Sequence, residues 1–248
     1  MSQDKATPLH FSRFEFKYVL DQATRESVEA ELGHFVELDP YVQGQPGHRY
    51  FVRSLYYDDA RFSAFHEKHD GLLTRSKFRV RTYGRAIDDP APWFLEQKGR
   101  HNNLVWKHRT PISAAIDRRL AGDALTRALM GHAAPSEVRD RFEIAVWKSR
   151  IRPGVLVDYV RRPYVSRFDP EFRLTFDAEL AACAIDTLFP PQPVMRGLLR
   201  GYTVMEVKFG RHVPAWFHRI LQAHELVRRS ISKVCAATEA LGLASADT

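Results

Sequence analysis

Thr74-Arg-Ser-Lys-Phe-Arg-Val-Arg-Thr-Tyr-Gly84 places a cation at every second residue from Arg75 to Arg81. Side chains along a strand point alternately to opposite faces. The alternation puts Arg75, Lys77, Arg79 and Arg81 on one face, and Ser76, Phe78, Val80 and Thr82 on the other. Four cations in register repel one another unless something neutralises them.

The same spacing recurs along the chain. Arg13, Glu15 and Lys17 share a face opposite Phe14 and Phe16. Glu96 and Lys98 oppose Trp93 and Leu95; Lys107 and Arg109 oppose Leu104 and Trp106. Arg173, Thr175 and Asp177 oppose Phe172, Leu174 and Phe176, and Glu206 and Lys208 join Val204 opposite Met205, Val207 and Phe209. A solvated outer face explains any one such strand. Six of them, with eleven Lys/Arg against four Asp/Glu, do not fit a surface of mixed sign. A closed antiparallel barrel with a charged interior, and an apolar exterior covered by helices, accounts for both faces at once. Cations clustered between low-dielectric walls focus potential on an anion inside.

The rest of the chain agrees with an α+β fold of this kind. Strands are expected at 11–19, 49–57, 74–84, 92–99, 103–110, 143–149, 154–162, 171–177 and 203–209. Helices are expected at 22–38 behind an Asp21 cap, at 58–66 behind Asp58-Asp59, at 113–130 behind Ser113, at 214–228 and at 233–243. The prolines at 190, 191 and 193 mark a loop. Regular β-α-β alternation is absent, so an antiparallel arrangement of about eight strands with helices outside it is the natural class. One domain over 1–248 with a core at about 11–240 is expected, and no internal repeat interrupts it.

Composition bounds the function. The 248 residues are 44% hydrophobic and 12% aromatic, enough for a core. A net charge of +7 and a pI near 9.5 call for a polyanionic partner: nucleic acid, anionic lipid or a phosphate-rich small molecule. Cys183 and Cys235 form no CxxC, so reduced thiols in a cytoplasmic protein are expected. The first ten residues lack a signal-peptide apolar core, and no run reaches the ~18 apolar residues of a membrane span. Neither a Walker A motif nor GxGxxG is present. His66 and His69 form HxxH with no third metal ligand apparent. His101, His108, His212, His218 and His224 read as surface or packing residues. Trp93, Trp106, Trp147 and Trp216 read as helix-packing residues.

Eight segments, in order, carry a family likeness. They are Arg13-Phe-Glu-Phe-Lys-Tyr18, Ser54-Leu-Tyr-Tyr-Asp58, Lys77-Phe-Arg-Val-Arg81, Phe94-Leu-Glu-Gln-Lys98, Lys107-His-Arg109, Arg173-Leu-Thr-Phe-Asp177, Met205-Glu-Val-Lys208 and Ser232-Lys233. Together they resemble the VTC domain, the catalytic core of the vacuolar transporter chaperone polyphosphate polymerases. That family belongs to the triphosphate tunnel metalloenzymes and is related to the CYTH proteins. The resemblance implies an eight-stranded tunnel that transfers the γ-phosphate of ATP to polyphosphate with Mn²⁺ or Mg²⁺. By motif it implies phosphate contacts from Lys17, Arg79, Arg81, Lys98, Lys107, Arg109, Arg173, Lys208 and Lys233, and Glu206 as main metal ligand. Glu15 and Glu96 are possible further metal ligands. Arg13 and Lys77 join the phosphate-binding set, and so does Arg162, with Arg161 the alternative. Relatives that hydrolyse or cyclise open with ExExK; here Arg13 makes the motif RxExK, with one carboxylate fewer and one more phosphate contact. Of the expected catalytic set, Arg79, Arg81, Lys98 and Lys208 supply charge and Glu206 the carboxylate.

Such a transfer needs positioning and charge stabilisation rather than a strong general base, because the acceptor phosphate is already ionised near neutral pH. Three other readings remain open at this point: a nucleic-acid module, suggested by interleaved rings and cations as in Tyr50-Phe-Val-Arg53; a non-catalytic polyphosphate-binding subunit; and a tunnel phosphohydrolase. Against the first, Phe78, Trp93 and Trp106 lie opposite the cations, so nucleic acid is not the expected partner.

Overall fold

In the computed structural model, which describes residues 10–245, the strands are β1 (His10–Asp21), β2 (Val36–Leu38), β3 (Tyr50–Asp58), β4 (Thr74–Thr82), β5 (Trp93–His101), β6 (Leu104–Ile112), β7 (Arg152–Ser166), β8 (Arg173–Ala184), β9 (Arg196–Gly197) and β10 (Tyr202–Phe209). The helices are α1 (Gln22–Leu32), α2 (Ser63–His69), α3 (Gly122–His132), α4 (Glu137–Ser149), α5 (Ala215–Ala223) and α6 (Lys233–Ala240). The pairing order is β7-β3-β4-β5-β6-β1-β10-β8, all antiparallel, and β8 pairs back onto β7 to close an eight-stranded barrel. β2 adds to β7, and β9 adds to β8. Closure leaves the eight strands no unpaired sheet edge.

The apolar face of each strand turns outward, beneath the helices. Leu55, Val80, Trp93 and Leu95 pack under α3 and α4 against Leu125, Leu129 and Phe142. Tyr18, Leu174, Met205 and Val207 pack under α1 and α5 against Val28, Phe217 and Ile220. Burial of each such large side chain contributes roughly 1.5–3 kcal/mol, which holds the wall against the repulsion inside it.

The expected elements differ from the observed ones where tertiary context wins. Asp21 caps α1 by accepting from the Thr24 backbone N–H at 2.8 Å, but the helix stops at Leu32 and 36–38 becomes β2, paired with β7. Ser113 caps no helix; α3 starts at Gly122. Residues 143–149 are not a strand but the end of α4, because Ser136 caps it and Val138 and Phe142, one turn apart, bury against the barrel. That leaves Trp147 69% exposed rather than packed. Gly99 faces the Trp106 indole so closely that a Cβ there would lie 2.0 Å from the ring.

One irregularity aims the interior of β8. Glu179 has φ +56°, and the β7–β8 register slips between Asp158 and Val160, so β8 carries one extra residue. The bulge puts Asp177 and Leu180 on the same inner side. The interior is therefore not charged throughout: Val52, Val157, Ala182 and Val204 form an apolar layer under Ala237 of α6.

Candidate functional site

The barrel encloses a cavity of about 390 Å³. Of the residues expected to serve a site, Arg13, Glu15, Lys17, Lys77, Arg79, Arg81, Lys98, Lys107, Glu206, Lys208 and Lys233 line it. They come from β1, β4, β5, β6, β10 and the start of α6, brought together by register. Lys17 lies opposite Glu206 and Glu15 opposite Lys208 across β1–β10, and Arg79 lies opposite both Tyr56 on β3 and Glu96 on β5.

Glu206 is the centre of one cluster. Its Oε1 lies 2.6 Å from Lys233 Nζ and 3.4 Å from Lys17 Nζ; its Oε2 lies 3.0 Å from Lys208 Nζ and 3.1 Å from Arg161 Nη2. Arg161 also grips Asp177 in bidentate fashion, at 2.6 Å for both bonds, and Lys233 Nζ reaches Asp177 at 2.6 Å. Burial pushes the Glu206 carboxyl up, but Lys233, Lys208 and Lys17 outweigh it and hold the group ionised, well below the usual range. Glu15 sits beside this cluster, 2.8 Å from Lys98 Nζ and 3.3 Å from Lys17 Nζ.

A second cluster surrounds Glu96, which takes Arg79 through Nε at 2.7 Å and Nη2 at 2.6 Å, Lys107 at 3.4 Å and Arg81 at 3.9 Å. Arg79 Nη1 donates to Tyr56 Oη at 2.9 Å, while Arg81 donates to Ser54 Oγ and Tyr159 Oη, each at 3.1 Å. Tyr56 is raised by burial but brought down by Arg79 and Arg81, to about 8. Burial lowers Lys107 to about 7 and Lys208 to about 8; Glu96 and Glu206 respectively pull the other way without restoring them.

Four expected residues lie elsewhere. Glu96 is fully buried behind Arg79 and is not among the residues lining the cavity. Arg109 stacks its guanidinium on Phe94, 4.4 Å from the ring centroid. Arg173 stands at the rim, 4.0 Å from Asp39, with its side chain 47% exposed. Arg162 points outward to Glu29 at 2.8 Å; strand alternation gives the inward place to Arg161. Tyr56, Tyr159 and Arg161 also line the cavity, and Asp177 sits behind Arg161. The segment before α6 closes one side: Arg229 N–H donates to Lys17 O at 2.8 Å, and Lys17 Nζ donates to Ile231 O at 3.0 Å.

Among the described residues, no group of three His, Cys, Asp or Glu side chains is placed to hold a metal ion by itself. Glu15 and Glu206 do face the same cavity, with Lys17 Nζ between them at 3.3 and 3.4 Å. One or two carboxylates completed by substrate phosphates and water is the donor set that Mg²⁺ and similar hard ions accept. The residues present fit such an ion at Glu206 and Glu15, and do not fit one at Glu96.

A closed antiparallel barrel enclosing a buried, cation-rich cavity defines the triphosphate tunnel fold. The chain belongs to the VTC family: the VTC domain matches residues 12–242. No curated protein matches it. In fold it is similar to a putative adenylate cyclase from Bacillus halodurans, with TM-score 0.55 and 13% identity over 91% of this chain and 96% of that one. The PH1819 protein of Pyrococcus horikoshii aligns at TM-score 0.47 and 13% identity, covering 92% and 98% of the two chains. The mimivirus capping enzyme triphosphatase aligns at TM-score 0.36 and 7% identity, covering 86% and 88%.

Proposed function

We propose that the protein is a phosphotransferase of the tunnel class that moves the γ-phosphate of ATP onto a polyphosphate chain. The observation that carries this reading is Glu206 among Lys17, Lys208, Lys233 and Arg161, inside a cavity only about 390 Å³ in volume. A narrow, cation-lined space suits a chain of tetrahedral phosphates. Bases stacked on the cationic strands would need the rings of Phe78 and Trp93, which are buried under α3 and α4.

In this reading the cations hold the donor phosphates and stabilise the charge that spreads over the transferring group. Arg81 is the best placed of them, since its closest hydrogen-bond partners are neutral hydroxyls, whereas Arg79 is bound to Glu96. Glu206 and Glu15 would hold Mn²⁺ or Mg²⁺, whose contribution when bound is to neutralise phosphate oxygens. Lys233 orients Glu206 from α6. No general base is required of the chain, because the acceptor phosphate is ionised. Incubation of the purified protein with ATP and Mn²⁺ tests the reading: long polyphosphate is the expected product, and orthophosphate alone would mean a hydrolase.

A further inference from the structure

Lys17, Arg79, Lys98, Arg161, Lys208 and Lys233 inside the barrel are each held by a carboxylate within 3.4 Å, but a second group of cations at the cavity mouth is not. Arg75, Arg100 and Arg228 line the mouth together with Lys68 and Arg229. Each of the three is held by neutral oxygens. Arg75 Nη1 donates to Leu72 O at 2.5 Å. Arg100 donates from Nε to Asn102 O and from Nη2 to Asn103 Oδ1, the latter at 2.9 Å. Arg228 donates from Nη2 to that same Asn103 Oδ1 at 3.0 Å, and its guanidinium lies 3.9 Å from the Phe16 ring centroid. Among the described residues, none of the three takes part in an ion pair. Their charges act on each other: burial lowers Arg100, and Arg75 and Arg228 lower it further.

An amide oxygen that gathers two guanidiniums fixes their geometry without cancelling their charge. A carboxylate at the same position would do both. Mutual repulsion maintained in this way is offset when a polyanion arrives, and planar guanidinium forks suit phosphate oxygens. The inner cluster is centred on Glu206, and Arg75, Arg100 and Arg228 line the same cavity outside it as a collar, within reach of phosphates beyond the few held there.

We propose that Arg100 and Arg228, joined through Asn103 at the mouth, form with the neighbouring Arg75 a subsite for the outer phosphates of a long linear polyphosphate. The assignment rests on the polyphosphate reading above and adds where the chain leaves the barrel. A single-stranded RNA backbone presents similar charge but a different spacing and bulk, so it serves as the competing ligand in the test.

The experiment is calorimetric titration of the full chain with three probes: tripolyphosphate, linear polyphosphate tens of units long, and single-stranded RNA of comparable charge. The proteins are wild type, the combined Arg75→Gln/Arg100→Gln/Arg228→Gln variant, and Asn103→Asp, which keeps every arginine but places a carboxylate between two of them. Both variants are expected to bind the long polyphosphate roughly tenfold more weakly or worse, and tripolyphosphate within about twofold of wild type. Unchanged long-chain affinity in both variants would overturn the subsite. So would a loss confined to RNA, which would assign the collar to nucleic acid. If wild type binds neither phosphate ligand, the polyphosphate reading itself fails, an outcome distinct from loss of the collar alone. Thermal melts accompany each variant, and Asn103→Asp carries the test if the arginine variant does not fold.

Discussion

The ammonium group of Lys233 lies 2.6 Å from Glu206 Oε1, which ties the first residue of α6 to the middle of β10 and places a helix side chain in the interior of a barrel. Lys233 also lies 2.6 Å from Asp177, so one cation serves two buried carboxylates. Lys233→Met should therefore leave both under-compensated. Removing one partner of a buried pair typically costs about 3–5 kcal/mol, and the lower end is expected here because Arg161 still holds Asp177. Denaturant melts check this; unchanged stability would show that the contact contributes nothing.

Glu206→Gln separates binding from turnover. It removes a negative charge from among four cations while keeping the shape, so tripolyphosphate should bind at least as tightly as to wild type. Turnover should fall by about 10²-fold or more, since the carboxylate proposed to hold the metal is gone. A fully active variant would remove Glu206 from the chemistry.

The two strand arginines should respond differently to lysine. Arg79 spends two nitrogens on Glu96, so Arg79→Lys should lower the melting temperature. Arg81 is hydrogen-bonded to hydroxyls, so Arg81→Lys should leave stability nearly unchanged and lower kcat by about 10²-fold, as for loss of one pre-organised donor. Steady-state kinetics beside melting curves decides. Normal kcat in Arg81→Lys would make that arginine structural.

Lysine protonation gives a pH dependence with a definite sign. Lys107 at about 7 and Lys208 at about 8 lie below the ordinary lysine value of ~10.4. Between these values the unfolded chain holds protons that the folded one has released, so these groups make stability rise with pH across that window. Binding runs the other way. A polyanion favours the charged ammonium, so proton uptake should accompany tripolyphosphate binding near pH 8, and affinity should fall as pH rises through 7 to 8. Calorimetry in two buffers of different ionisation enthalpy measures the uptake, and Lys107→Met should reduce it. Zero uptake in wild type would contradict the assignment.

The alternation at Arg75, Lys77, Arg79 and Arg81 was legible because a period of two has one geometric meaning and the opposite face carries Phe78 and Val80 and no charge. The inward place of Arg161 rather than Arg162 follows the alternation of β7 with Val157 and Tyr159, but its partner was not legible: the bulge at Glu179, a residue that does not advertise positive φ, is what brings Asp177 opposite Arg161. Residues 143–149 misled because Phe142 to Trp147 mixes β-branched and aromatic residues; the Ser136 cap decides for helix. The collar was invisible for another reason. Asn103 and Arg228 are 125 positions apart, and only closure of the barrel brings them together.

The most direct measurement of the central claim is the product formed from ATP by the purified chain with Mn²⁺, resolved by gel electrophoresis of phosphate chains alongside an orthophosphate assay. Polyphosphate should accumulate in step with ADP, little orthophosphate should appear, and Glu206→Gln should cut polyphosphate formation by about 10²-fold or more. ADP released with an equal amount of orthophosphate and no chain would contradict the claim, and would make the tunnel that of a hydrolase.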